Sequence, residues 1–175
     1  MNRKWVHIFV LSIVMLIVSG CNQSVEEQVS AGLENTKTTF ESKPKEPNEM
    51  IGQIELFIPK GYGIEKGIDE LNYTLVNGKD SYILFVNLHE PKDSQLHYTI
   101  LKEDPNIKIV QEEIYKADDM FGFSSVIERE EKQYELVVSI GGVKLTTLSE
   151  NKKIDQKLQE MMEIVQSVRT IDSSK

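Results

Sequence analysis

Histidines and carboxylates crowd one stretch of this chain, His89-Glu90-Pro91-Lys92-Asp93-Ser94-Gln95-Leu96-His97. Imidazole and carboxylate are zinc ligands, and a zinc-protease helix needs its second histidine four residues after the first. Asp93 stands at that position, and Pro91 prevents a helix that carries both histidines on one face. His89 at a strand end and His97 on the next element could still converge on a metal with Glu90 or Asp93. Two solvated loop histidines are the plainer reading, and no metal or other cofactor is expected. Nucleophilic catalysis lacks its parts, with no Gly-x-Ser-x-Gly turn and a single thiol, Cys21. Gly61-Tyr62-Gly63 and Gly141-Gly142 read as turn glycines, since no lysine follows at phosphate-loop spacing. The acidic neighbours Glu112-Glu113, Asp118-Asp119 and Glu128 with Glu130-Glu131 are adjacent or nearly so. Adjacent strand residues point to opposite faces and do not share a proton. Asp118-Asp119, just before Met120-Phe121-Gly122-Phe123, puts acid beside aromatic rings on a loop, with too few oxygen ligands for calcium. No catalytic residue is expected.

The thiol has a more specific setting. Arg3 and Lys4 precede an apolar run from Ile8 to Val18, interrupted by Ser12, and Ser19-Gly20-Cys21 follows. At 1.5 Å per residue the run spans about 16 Å, roughly half of a hydrocarbon core. That is the length of a signal-peptide core rather than of a membrane span. The stretch Leu16-Ile17-Val18-Ser19-Gly20-Cys21 resembles the lipobox of bacterial lipoproteins. Val18 fills the position usually held by leucine, and Ser19 and Gly20 match the small residues that admit the peptidase. The resemblance implies a diacylglyceryl group on the Cys21 sulfur, cleavage between Gly20 and Cys21, and acylation, such as palmitate, of the new amino terminus. An uncleaved anchor helix with an inert cysteine is the competing reading. Two acyl chains would supply the two signals that stable anchoring needs, at about 0.8 kcal/mol per buried methylene.

The remaining chain is acidic. The formal charge is −8 even with Arg3 and Lys4 included. Such a body repels phosphate backbones, so nucleic acid is excluded as a partner. With 175 residues, 39% of them hydrophobic, there is room for one domain behind the leader. Residues 21–49 are polar, and Val25, Val29 and Leu33 at helical spacing suggest a short amphipathic turn interrupted by Gly32. Pro44 and Pro47 close the segment. It reads as a lipidated cysteine and flexible linker, a coil holding the domain on the order of 30 Å from the lipid.

Residues 50–171 carry the domain. Ile54, Leu56 and Ile58 alternate as a strand, ended by Pro59-Lys60-Gly61. Asn77-Gly78 supplies the two positive-φ positions of a type I′ hairpin. Tyr82 to Leu88, apolar at nearly every position, reads as a central strand covered on both faces. Between Asp93 and Pro105 a short helix is favoured over a strand, capped by Asp93 or Ser94 with Leu96 and Ile100 inward. Residues 106–119, 120–130 and 133–150 read as further strands, the last stretch folded into a tight hairpin at Gly141-Gly142. Ile154, Leu158, Met161, Met162, Val165 and Val168 mark an amphipathic carboxyl-terminal helix with Glu160, Glu163 and Gln166 outside and Ser149 or Asn151 as its cap. Residues 172–175 are a disordered tail.

The expected fold is α+β, an antiparallel sheet of six or seven strands with the carboxyl-terminal helix on one face. The order of strand, Ile58-Pro59-Lys60-Gly61-Tyr62-Gly63, hairpin, central strand and final helix resembles the PsbP/DcrB-like domains of small secreted and lipid-anchored proteins. That resemblance implies a fold and no catalytic residue. The functional expectation is a non-enzymatic binding or assembly lipoprotein on the outer face of the cytoplasmic membrane. Its partners would be the bilayer, through the lipid on Cys21, and a protein of the cell envelope. A body rich in lysine, glutamate and isoleucine with few arginines points to a Gram-positive source. The alternatives are an extracytoplasmic enzyme or enzyme subunit, and a small-ligand carrier with its pocket between sheet and terminal helix.

Overall fold

The computed structural model describes residues 23–171 apart from Lys66, Ile68, Glu70, Glu131 and Asn151. The tail at 172–175 and the leader lie outside the described residues.

Helix α1 (Val25–Glu41) occupies most of the segment expected to be a flexible linker, and this corrects that expectation. Ser24 and Glu27 close a reciprocal capping box, Glu27 N donating to Ser24 Oγ at 3.2 Å and Ser24 N to Glu27 Oε2 at 2.9 Å. Val29, Leu33, Thr36 and Phe40 form a buried stripe along the helix. Gly32, which argued against a helix in the sequence, lies where a Cβ would meet Leu158 Cδ1 at 2.7 Å and the Asp155 backbone at 3.0 Å. Its missing side chain is what lets α1 approach its neighbour. Isolation would leave this helix frayed; burial of one face holds it.

Seven antiparallel strands form the main sheet, in the order β3-β4-β5-β9-β8-β7-β6. They are β3 (Tyr62–Glu65), β4 (Asn72–Asn77), β5 (Asp80–Val86), β6 (Lys108–Ala117), β7 (Met120–Glu130), β8 (Gln133–Ile140) and β9 (Val143–Glu150). A small second sheet joins β1 (Glu49–Ile51), β2 (Ile54–Leu56) and β10 (Arg169–Thr170). Helix α2 (Leu96–Glu103) follows β5, and α3 (Ile154–Ser167) follows β9. The fold is α+β with the carboxyl-terminal helix packed on one face of the sheet.

Helices α1 and α3 run parallel across that face. Gln28 Oε1 accepts the Ile154 backbone N–H at 3.2 Å where both helices begin. Where both end, Gln166 Nε2 donates to the carbonyls of Phe40 at 3.0 Å and Ser42 at 2.9 Å. The first of these contacts corrects the cap expected from Ser149 or Asn151. The residue before α3 is Lys153, in the left-handed region at φ 57°, and its side chain makes no cap. A glutamine from another helix does that work instead.

Beneath the helices lie Leu75, Leu84, Val126, Leu136, Val138 and Leu145, all buried. Tyr82, Leu84 and Val86 of β5 point to this face, whereas Ile83 is 40% exposed on the other. The strand therefore alternates and is not covered on both faces as expected. On that outer face α2 shelters a second cluster, Leu101, Phe121, Phe123, Ile127 and Val137. The helix expected between Asp93 and Pro105 is present, but Leu96 and Ile100 are 45% and 57% exposed. Leu101 and Tyr98 face the sheet in their place. Gln95, not Asp93 or Ser94, is its cap residue, without a side-chain cap bond.

The two expected hairpins differ in outcome. Ile140 pairs with Val143 across Gly141-Gly142, as the glycine pair predicts. In the other, Asn77 pairs with Asp80, so the turn is Gly78-Lys79, and positive φ falls on Gly78 alone, at 62°. A positive φ at the first turn position only is the pattern of a type II′ turn rather than type I′.

Candidate functional site

The loop between β3 and β4 folds back on itself around one carboxylate. Asp69 Oδ1 accepts the backbone N–H groups of Leu71 and Asn72, each at 2.8 Å, and the Asn72 side-chain amide at 2.9 Å. These bonds, the Asn72 side chain first, hold the Asp69 carboxyl below the usual carboxylate range. The Leu71 carbonyl in turn accepts the Val86 N–H at 2.8 Å, which ties the loop to the end of β5. Opposite, the chain turns between β1 and β2 at Gly52, φ 59°, where a Cβ would sit 3.0 Å from the Tyr73 hydroxyl.

Between this turn and the loop is a cavity of about 640 Å³. Ile51, Ile54, Ile64, Leu71, Tyr73, Val86 and Leu88 contribute its apolar walls. Glu65, Asp69 and His89 contribute the charged and titratable groups. The volume falls within the range of small-molecule sites. Its chemistry is that of a receptacle: apolar surface to desolvate a ligand, and a few polar groups to orient it. A smaller cavity of about 260 Å³ opens where the ends of α1 and α3 meet the sheet, between Phe40, Met120, Ile140 and Val165 with Lys92 and Lys116 beside them. No family model matches the chain, and no curated protein matches it.

The residues singled out in the sequence are dispersed. Val18, Ser19, Gly20 and Cys21 lie outside the described residues. His89 joins the large cavity, whereas His97 packs edge-on against Phe85 on the outer sheet face, ring centroids 5.3 Å apart. Among the described residues no three His, Cys, Asp or Glu side chains gather as metal ligands. Glu112 and Glu113 do point to opposite faces. Glu112 takes Lys102 Nζ at 3.0 Å and the Tyr98 hydroxyl at 3.3 Å, both from α2. Glu113 meets Lys37 of α1 at 3.8 Å. Asp118-Asp119 is the two-residue turn between β6 and β7. Among the described residues no helix is long and apolar enough to cross a membrane.

Two polar contacts, one half-buried and one buried, escaped the sequence reading. Tyr62 donates to Glu160 Oε2 at 2.8 Å, and burial raises its hydroxyl far above the usual phenol range, with Tyr82 adding to the effect. Lys157 reaches from α3 to Asp80 at 2.9 Å and Ser149 Oγ at 3.1 Å. Both fasten α3 to the sheet, which is a structural role.

His97 makes stability depend on pH. Its Nε2 is buried without a partner among the described residues, and burial, then the Lys144 ammonium, lower its pKa from 6.5. The Gly142 backbone and Glu90 pull the other way but do not win. The folded state therefore holds His97 neutral longer than the unfolded chain does. Between the lowered value and 6.5 the unfolded chain binds the extra proton, so stability falls as pH drops through that window and levels off below it. Denaturant titrations at pH 7.5 and 5 should show a larger loss for the natural chain than for His97→Phe. Equal losses would assign the acid sensitivity elsewhere.

Proposed function

We propose that this chain is a lipid-anchored binding protein of the bacterial envelope, held by acyl chains on Cys21 at the outer face of the cytoplasmic membrane. The folded domain works without covalent chemistry, as a receptacle for a small apolar molecule or apolar group of a partner. The cavity of about 640 Å³ carries this reading. Seven apolar side chains line it, with Glu65, Asp69 and His89 as the charged and titratable groups among them. The seven-stranded antiparallel sheet with its final helix supports a PsbP/DcrB-like assignment.

Filling the cavity tests the site. Leu71 lines the cavity and is itself partly exposed, so Leu71→Trp adds bulk without emptying the core. Titration of the leaderless chain with 1-anilinonaphthalene-8-sulfonate should show saturable binding that the variant weakens at least tenfold, equivalent to about 1.4 kcal/mol. Unchanged binding by a variant of unchanged thermal stability would remove the cavity from the function.

A further inference from the structure

The parallel arrangement of α1 and α3 places the two ends of the domain in very different relations to the membrane. The starts of both helices share one end with the β4–β5 turn, the β7–β8 turn and the segment from Glu150 to Ile154. Their far ends share the other with the β6–β7 and β8–β9 turns. Val86, Leu88 and His89 put the large cavity at this second end, and Phe40, Ile140 and Val165 put the smaller one there too. Because α1 is docked on the sheet from Val25 onward, only residues 22–24 separate Cys21 from the folded body. Four residue steps, fully extended, reach at most about 14 Å.

We propose that the domain stands end-on upon the phospholipid surface that holds its anchor, with the starts of α1 and α3 toward the headgroups and both cavities facing away. The claim rests on acylation of Cys21. The 17-residue length of α1 sets the cavities about 25 Å above the surface. Charge favours this posture over one with α1 lying flat. Beyond its first turn the exposed flank of α1 carries Glu34 and Glu41, which anionic headgroups repel, and its Lys37 is already paired with Glu113. The proximal end sets Lys132, Lys152 and Lys153 against Glu26, Glu27, Glu130 and Asp155, none of the seven in an ion pair among the described residues, so its charges nearly balance. Glu128 and Glu150 at that end are already paired with Lys108 and Lys79. The consequence is directional: a ligand reaches the cavities from the extracytoplasmic side and not by moving up out of the bilayer beneath.

Energy transfer measures the posture. Acylated Cys21 leaves no free thiol, so Lys152→Cys and Asp118→Cys give one labelling site each, at the proximal and the distal end. The full acylated protein is placed in vesicles of phosphatidylglycerol and phosphatidylethanolamine carrying a headgroup acceptor. Transfer from position 152 should exceed that from 118 several-fold, and twelve Gly/Ser residues inserted between Gln23 and Ser24 should abolish the difference. Equal transfer from both positions in protein that floats with the vesicles overturns the posture and leaves the anchor standing. Protein that does not float overturns the anchor, and the posture with it.

Discussion

A chain beginning at Lys43, just past the end of α1, is expected not to fold. Removing α1 exposes the surfaces that Val29, Leu33 and Phe40 cover, all of which are buried. Burying one such side chain contributes about 1.5–3 kcal/mol, and domains of this kind have a net stability of only about 5–15 kcal/mol. Truncation also takes away the Gln28 acceptor from the start of α3 and the Thr36 hydroxyl from Tyr115. The effect can be graded in the full chain. Phe40→Ala, which empties the ring packed at 5.3 Å against Tyr115, should cost about 3–5 kcal/mol in a denaturant titration. A truncated chain with a cooperative melt and native near-ultraviolet dichroism would show that α1 is dispensable after all.

Cys21→Ala is expected to abolish both acylation and removal of the leader. In the lipoprotein reading the thiol is the acceptor of the diacylglyceryl group, and the leader is cut directly before that modified residue. Mass spectrometry should find residues 1–20 still attached in the variant, against an acylated species starting at residue 21 in the natural protein. The anchor at stake is large, since each buried methylene contributes about 0.8 kcal/mol and two chains act together. Normal processing and membrane retention of the alanine variant would refute the lipid anchor.

The α1 segment shows how local reading went astray. Ser24-Val25-Glu26-Glu27 is a capping-box pattern, and the spacing of Val29, Leu33 and Phe40 continues the stripe beyond Gly32. Those signals were in the residues. The polar composition and the glycine outweighed them, because propensity treats glycine as a cost and has no term for the close approach of Leu158. The exposed Leu96 and Ile100 went astray for a related reason. A single turn of helix has several apolar positions, and which of them faces the sheet depends on how α2 is laid down.

The cavity was less legible still. Its walls come from Ile51 to Ile54, from Ile64, Leu71 and Tyr73, and from Val86, Leu88 and His89, three stretches that nothing in their own composition joins. The sequence by itself determined the elements whose signals are local: the apolar stripe of α3 from Ile154 to Val165, the Gly141-Gly142 hairpin, and the alternation of Ile54, Leu56 and Ile58. Backbone conformation and the hydrophobic period act over a few residues, so they can be read there. Only the tertiary structure decided that α1 belongs to the core, that a glutamine from one helix caps another, and that space remains between a hairpin and a loop. Each of those depends on contacts between residues far apart in the chain, and packing against a particular neighbour leaves no periodic mark.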